Sequence, residues 1–281
     1  MSVRNLIPKV CLIVLILKAG ISSGQEKMEV EGAITIKDAK TETPVQGTIR
    51  FNPKNNDFEG WNGLFWASLT GFQFTNIGSV VDVDGNTYPT VKIGNQEWMA
   101  ENLRTTRYHD VSHSSIPLIS NNISWVLTYS GAYCIYDTIS SGYDAYLKER
   151  FGYLYNWYAV VDSRGLCPTG WHIPSSSDWN TLFNAVGGSS QAGGRLKESG
   201  LNHWNSPNYG ATNSSGYTAL PAGERFASTG SFLNIGIYSR WWSISLSNNE
   251  PLFFYVLSND EFASGSTSDR RTGYPVRCLK N

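Results

Sequence analysis

LCPTGWHIPSSSDW, residues 166–179, sets a cysteine, a histidine and two tryptophans beside a run of serines. Those residue types can make a nucleophile with its base, a metal site, or the frame of a fold. Cys167 and His172 stand five positions apart. Only Cys134, Cys167 and Cys278 follow the N-terminal apolar run. In an oxidising compartment two of them pair and one is left over. A disulfide from Cys167 to Cys278 is preferred to a reactive thiol. It closes a loop of more than a hundred residues, which contributes about 4–5 kcal/mol in the chain-entropy picture. His172, in a tight turn between Trp171 and Ile173, reads as a hydrogen-bonded structural imidazole.

The other chemical patterns fail on their details. His109 and His113 have the i, i+4 spacing of metalloprotease helices, but Asp110 replaces the glutamate, VSHSS does not read as a helix, and no third ligand follows. DVDGNT begins like a calcium loop, yet its fourth residue is Gly85 and its twelfth is Ile93. GISSG (20–24) spells a nucleophile elbow inside a targeting segment. GSSQAG (188–193) has phosphate-loop glycine spacing without the Lys-Ser/Thr pair. Glu97, Glu101 and Glu224 are scattered. No catalytic residue, metal or cofactor is expected. Tyr238, Trp241 and Trp242 remain, beside Arg240. An exposed aromatic there would stack on a sugar ring. Strand alternation puts Trp241 and Trp242 on opposite faces, so one belongs to the core.

These residues sit in a chain of 281 with net charge −1, 16% charged and 13% aromatic residues, and ten tryptophans. A near-neutral balance gives no reason to expect nucleic acid or an anionic membrane as partner. Arg4 and Lys9 flank VCLIVLIL (10–17), and small residues follow. Eight apolar residues are far short of the ~20 of a membrane span. Residues 1–24 therefore read as a secretory signal peptide, cleaved after Gly24. Cys11 lies at the start of the apolar run, not after it, so a lipoprotein is not expected. The mature chain is expected to be secreted or held at a surface through other proteins.

Residues 25–76 read as a short β-rich segment, with ITI, TIRF and LFWASL as strands between TETP, NPKNN and WNG turns. The segment is too small to close a core and is expected to pack on the main domain or on copies of itself. It resembles short β repeats that precede surface and tail-fibre domains in bacterial proteins. SVVDVDGNTYPTVKI reads as a hairpin turning at Asp84-Gly85-Asn86. Residues 109–150 read as irregular. Leu147, Arg150, Phe151, Leu154, Trp157 and Tyr158 recur at helical spacing and predict a helix within 146–161. A second helix starts at Ser175, with Asp178 completing a capping-box pattern. Trp179, Leu182, Phe183 and Val186 form its apolar face, and Gly187-Gly188 ends it. YTALPAG, FLNIGIYS, RWWSISLS, LFFYVLS and YPVRCLK then predict an antiparallel sheet, giving an α+β domain.

IGNQEWMAENLRTTRY, YCIYD, GYLYNWYAVV, LCPTGWHIPSSSDWNTL, GRLKESG, SSGYTALPAGERFASTGSFLNIG, YSRWWSIS and GYPVRCLK occur in that order. Over about 79–281 the chain resembles the Fibrobacter succinogenes major paralogous domain. The resemblance implies a bacterial secreted or cell-surface protein and a C-type-lectin-like fold with two helices and antiparallel sheets. In such folds a cysteine before the second helix pairs with one in the last strand, which fits Cys167 and Cys278. No activity is implied. The calcium-site triplet of lectins is absent, since Leu252 follows Glu250-Pro251 and Ser258 precedes Asn259-Asp260. The function expected is non-enzymatic binding or adhesion, with a glycan or surface protein as partner. Asn205, Tyr209, Glu224, Arg225, Arg240 and Trp242 are the contact candidates. The alternatives are a display subunit that forms a homo-oligomer or fibre through 25–76, and a glycan hydrolase.

Overall fold

Most of the predicted strands form in a computed structural model, which describes residues 48–52, 57–61, 66–68, 76–136 and 150–281, but YTALPAG contributes only an isolated bridge from Ala219 to Lys197. The targeting segment and ITI lie outside these residues. Strands β1 (Ile49–Asn52), β2 (Asp57–Trp61) and β3 (Trp66–Ser68) form an antiparallel sheet in that order. TIRF and LFWASL supply β1 and β3. DFEGW adds β2, whose strand character was not read from the sequence.

The hairpin follows as β4 (Asn76–Val81) and β5 (Thr87–Ile93), then β6 (Gln96–Met99). Its turn is built on Asp82, whose carboxylate accepts from the backbone N–H of Asp84 and of Asn86, both at 2.9 Å, and from the Tyr88 hydroxyl at 2.6 Å. Asp84 accepts from the Thr106 hydroxyl and pairs with the Arg107 guanidinium. Burial works against its ionisation, yet these partners hold its pKa below the ordinary value. The DVDGNT carboxylates thus serve the chain's own turn.

The predicted helix within 146–161 is broken. Arg150 and Phe151 are helical, but Gly152 turns left-handed at φ 71°, where a Cβ would come within 2.8 Å of the Leu103 carbonyl oxygen. Helix α1 (Asn122–Val126) and strand β7 (Tyr133–Cys134) lie upstream. Past Gly152 come β8 (Leu154–Tyr155) and the one-turn helix α2 (Trp157–Val160), capped by the Asn156 side chain. After β9 (Trp171–His172), helix α3 (Ser176–Ala185) begins as its sequence dictates. Ser175 and Asp178 form a reciprocal capping box, and Trp179, Leu182 and Phe183 are buried. A further helix, α4 (Ser189–Leu196), was not expected. Its Gly193 lies where a Cβ would sit 2.2 Å from the Phe262 carbonyl oxygen. Glycine gives up helix propensity there in exchange for close packing.

Strands β10 (Glu224–Arg225) and β11 (Phe232–Leu233) make a small ladder. Strands β12 (Tyr238–Ser247), β13 (Glu250–Leu257) and β14 (Ala263–Thr267) form a three-stranded antiparallel sheet. The last strand, β15 (Leu279–Lys280), enters between β6 and β9 in a five-stranded sheet of order β4-β5-β6-β15-β9. The Cys167–Cys278 disulfide forms, at a sequence separation of 111. The domain is mixed α+β and mostly β. No helix among the described residues is long and apolar enough to cross a membrane.

Around Trp241, Trp242, Phe253 and Phe254 the β12–β14 sheet is covered on both faces. Trp241 and Phe254 point into one core with Trp98, Trp179 and Phe183, and the Trp179 ring stacks on both at 5.6 and 5.3 Å. Trp242 and Phe253 point into the other, with Tyr155, Tyr274 and the disulfide. The loops around these cores are threaded by buried cations that bond mainly to backbone carbonyls. Lys197 Nζ donates to the carbonyls of Tyr209, Leu257 and Asp260 at 2.7–2.8 Å. Arg277 donates to those of Tyr217 and Thr218 and to the Asn102 side chain.

Candidate ligand-binding cleft

The sequence-derived contact residues do not form one site. Trp242 is fully buried, and its indole N–H donates to the Tyr155 carbonyl at 2.7 Å, so no ligand reaches its face. Alternation put one of the two tryptophans in the core and left the other open; both are buried, on opposite faces of the sheet. Arg225 is buried between the rings of Trp125 and Phe232 at 4.6 and 4.7 Å, and donates to the carbonyls of Ile119, Ser120 and Gly230. It fastens loops and is not a contact residue. Glu224 is 1% exposed, pairs with the Arg240 guanidinium and accepts from the Asn234 side chain at 2.6 Å. Arg240 lies over the Tyr238 ring at 4.1 Å. That pair is internal too. Asn205 and Tyr209 are exposed and stand together at one end of the β12–β13 pair. Their backbone N–H groups donate to the carbonyls of Gly236 and Ser258, both at 2.8 Å.

His109 and His113 do not share a helix face; His113 sits in a turn at φ 47°. His172 bonds to the Asn281 side chain at 2.7 Å, with Asp178 3.5 Å from its other ring nitrogen. Among the described residues no three His, Cys, Asp or Glu side chains converge as a metal ion would need. Cys134 is a buried free thiol, pushed up to about 12 by burial and so not a thiolate nucleophile.

An open cleft of about 340 Å³ lies at the opposite end of the β12–β13 pair, lined by Tyr129, Tyr158, Asn249, Glu250, Asp269, Arg270 and Arg271, among others. Its floor begins with the hairpin turn. Asn248 and Asn249 both take left-handed conformations, φ 49° and 66°, as a tight two-residue hairpin requires. Glu250 is thereby delivered to the rim, where one carboxylate oxygen accepts from the Thr267 hydroxyl at 2.6 Å. The chain leaving β14 supplies the other wall. Arg270 donates to the Asn249 carbonyl at 2.8 Å, and its guanidinium lies 5.2 Å from the centre of the Trp157 ring. Arg271 is bidentate on Asp269, at 3.0 and 2.7 Å, donates to the Val126 carbonyl, and lies 5.3 Å from the centre of the Tyr129 ring.

Tyr129 and Tyr158 meet edge to face at 6.4 Å, and Tyr129 is 66% exposed. The cleft therefore presents aromatic surface beside planar hydrogen-bonding groups of both charges. The hydrogen bonds from Arg271 hold the Asp269 carboxyl below its ordinary pKa, so it stays ionised at neutral pH and is no proton donor. None of these residues was named from the sequence as a contact: Tyr158 entered as part of a helical pattern and Glu250 only as part of a failed calcium triplet. The available signal was Asn248-Asn249 between two strand runs, which marks a hairpin tip but not a cleft.

The family described as Fibrobacter succinogenes major domain matches residues 91–280. No curated protein and no solved structure matches the chain.

Proposed function

The chain belongs to the Fibrobacter succinogenes major domain family, and from that premise and the cleft we propose that it is a non-enzymatic binding or adhesion protein, secreted or displayed at a cell surface, whose ligand is a glycan or another protein. The cleft carries this reading. It combines exposed tyrosine surface with fixed polar groups, the composition of a recognition site. Catalysis of the glycosidase kind needs one carboxyl group poised as an acid. Asp269, locked ionised by Arg271, does not meet that need. The disulfide supports an oxidising compartment, and the charge–apolar–small pattern of residues 1–24 supports export. We take the fold as C-type-lectin-like, because Cys167, ahead of α3, is tied to Cys278, beside the last strand.

The test is a binding screen of purified 25–281 against glycans, polysaccharides and surface-protein extracts, with and without calcium. Saturable binding without turnover is the expected result. Release of reducing sugar would replace the reading with a hydrolase. A display role has its own support in the β1–β3 sheet, which among the described residues has three strands. It predicts concentration-dependent oligomers that disappear when 25–76 is deleted, and a monomer at all concentrations would refute it.

A further inference from the structure

Resting on that reading, we propose that the cleft between the β12–β13 turn and Arg270–Arg271 takes an uncharged sugar, stacked on tyrosine and held through its hydroxyls by Glu250 and Arg270. The first argument is shape. The C–H face of a pyranose is apolar and rigid, and Tyr129 offers a largely exposed ring beside Tyr158. A volume of about 340 Å³ sits at the low end of the ~300–1,000 Å³ typical of small-molecule sites, which suits a short stretch of sugar chain.

The second argument is charge. Arg271 and Asp269 neutralise each other through two hydrogen bonds. Glu250 and Arg270 are left as one charge of each sign, and among the described residues they form no ion pair with each other. Each is oriented by a neutral neighbour, Glu250 by Thr267 and Arg270 by Asn249. Each therefore keeps hydrogen-bonding capacity on its remaining atoms. A hydroxyl is both donor and acceptor. Adjacent hydroxyls can donate to the carboxylate while accepting from the guanidinium, which satisfies both without adding charge. A uronate would bring its carboxylate against Glu250, and an amino sugar its ammonium against Arg270. In each case part of the attraction is cancelled by repulsion.

The experiment is calorimetric titration of 25–281 with cellohexaose, mannohexaose and xylohexaose as uncharged probes, against oligogalacturonate and chitosan oligomers as charged ones. Tyr129→Ala, Glu250→Gln and Tyr209→Ala serve as variants, the last at the far end of the sheet. All three side chains are exposed, so folding is retained, which circular dichroism checks. The expected result is binding of at least one uncharged probe, weakened about tenfold or more, or ~1.4 kcal/mol, by Tyr129→Ala and by Glu250→Gln, and unchanged by Tyr209→Ala. Binding of charged probes alone overturns the inference but leaves the binding-protein reading intact. So does uncharged-sugar binding lost in Tyr209→Ala and kept in Tyr129→Ala. Silence to every sugar overturns the inference and leaves only a protein ligand for the broader reading.

Discussion

Lys197→Met removes one nitrogen and little else. The methionine keeps most of the stem, but the ammonium 5.5 Å from the centre of the Trp204 ring is lost, and the carbonyls of Tyr209, Leu257 and Asp260 lose their shared donor. Each carbonyl stranded in this way costs about 1–3 kcal/mol, which gives a gross loss of about 3–9 kcal/mol. Two terms pull the figure down. Tyr209 is exposed and Asp260 half-exposed, so water can serve their carbonyls. An ammonium is also no longer buried, a burden visible in the fall of Lys197 from 10.5 to about 8 through desolvation. We expect a net loss of about 3 kcal/mol, read from urea midpoints at constant m-value. Amide exchange should rise first in 205–210 and 257–262. The pH dependence has a definite sign. Between about pH 8 and 10.5 the unfolded chain holds the Lys197 proton that the folded chain releases, so this residue's contribution to stability rises with pH across that window and is absent from the variant. A variant within about 0.5 kcal/mol of wild type at pH 7, with unchanged exchange in both loops, would refute the idea that this ammonium holds them.

Ser175→Ala removes the cap of α3 and its half of the capping box. It should cost about 1 kcal/mol in chemical denaturation, and an unchanged midpoint would mean the helix start is held by packing alone. Gly193→Ala gains about 1 kcal/mol of helix propensity but drives a methyl group into the backbone carbonyls of Glu261 and Phe262. A net loss of about 2–3 kcal/mol is expected, and any stabilisation would show that α4 is not pressed against that loop. Replacing Cys167 and Cys278 together by Ala frees a loop set by their separation of 111 residues. The loss should be about 5 kcal/mol by loop entropy, and equal stability with and without reductant in wild type would contradict it.

Elements specified by their own residues were legible. Helix α3 could be bounded at both ends because cap, apolar spacing and terminal glycines all occur within residues 175–188. The first hairpin was legible from the alternation around Asp84-Gly85-Asn86. Failures came where distant contacts overrule local pattern. Helical spacing across 147–158 is real, yet Gly152 must pass against Asn102 and Leu103, and the helix stops there. SSQAGGRL looks like loop because its glycines are poor helix formers, and their purpose, contact with 210 and 261–262, is invisible along the chain. Arg225, Glu224 and Arg240 looked like surface contacts because charged side chains are seldom buried. Here Arg225 serves the loop carbonyls of Ile119, Ser120 and Gly230, Glu224 holds Asn234, and Arg240 pairs with the buried Glu224. The cleft joins residues around 129, 158, 250 and 270, a convergence that no local motif announces.

The disulfide also decides how the molecule responds to tension. If the protein is stretched between its ends, the chain between Cys167 and Cys278 cannot pay out, because the pull crosses the sulfur bridge instead. At about 3.4 Å per extended residue, the separation of 111 withholds roughly 370 Å of slack. Hairpin β12–β13 and the Arg270–Arg271 wall lie inside that protected loop, whereas Tyr129 and Tyr158 lie outside it. A stretching force strong enough to unravel the N-terminal part of the domain would strip away the aromatic side of the cleft while keeping its charged side tethered within the loop. A ligand that bridges both sides would then act as a second, breakable clasp across the cleft.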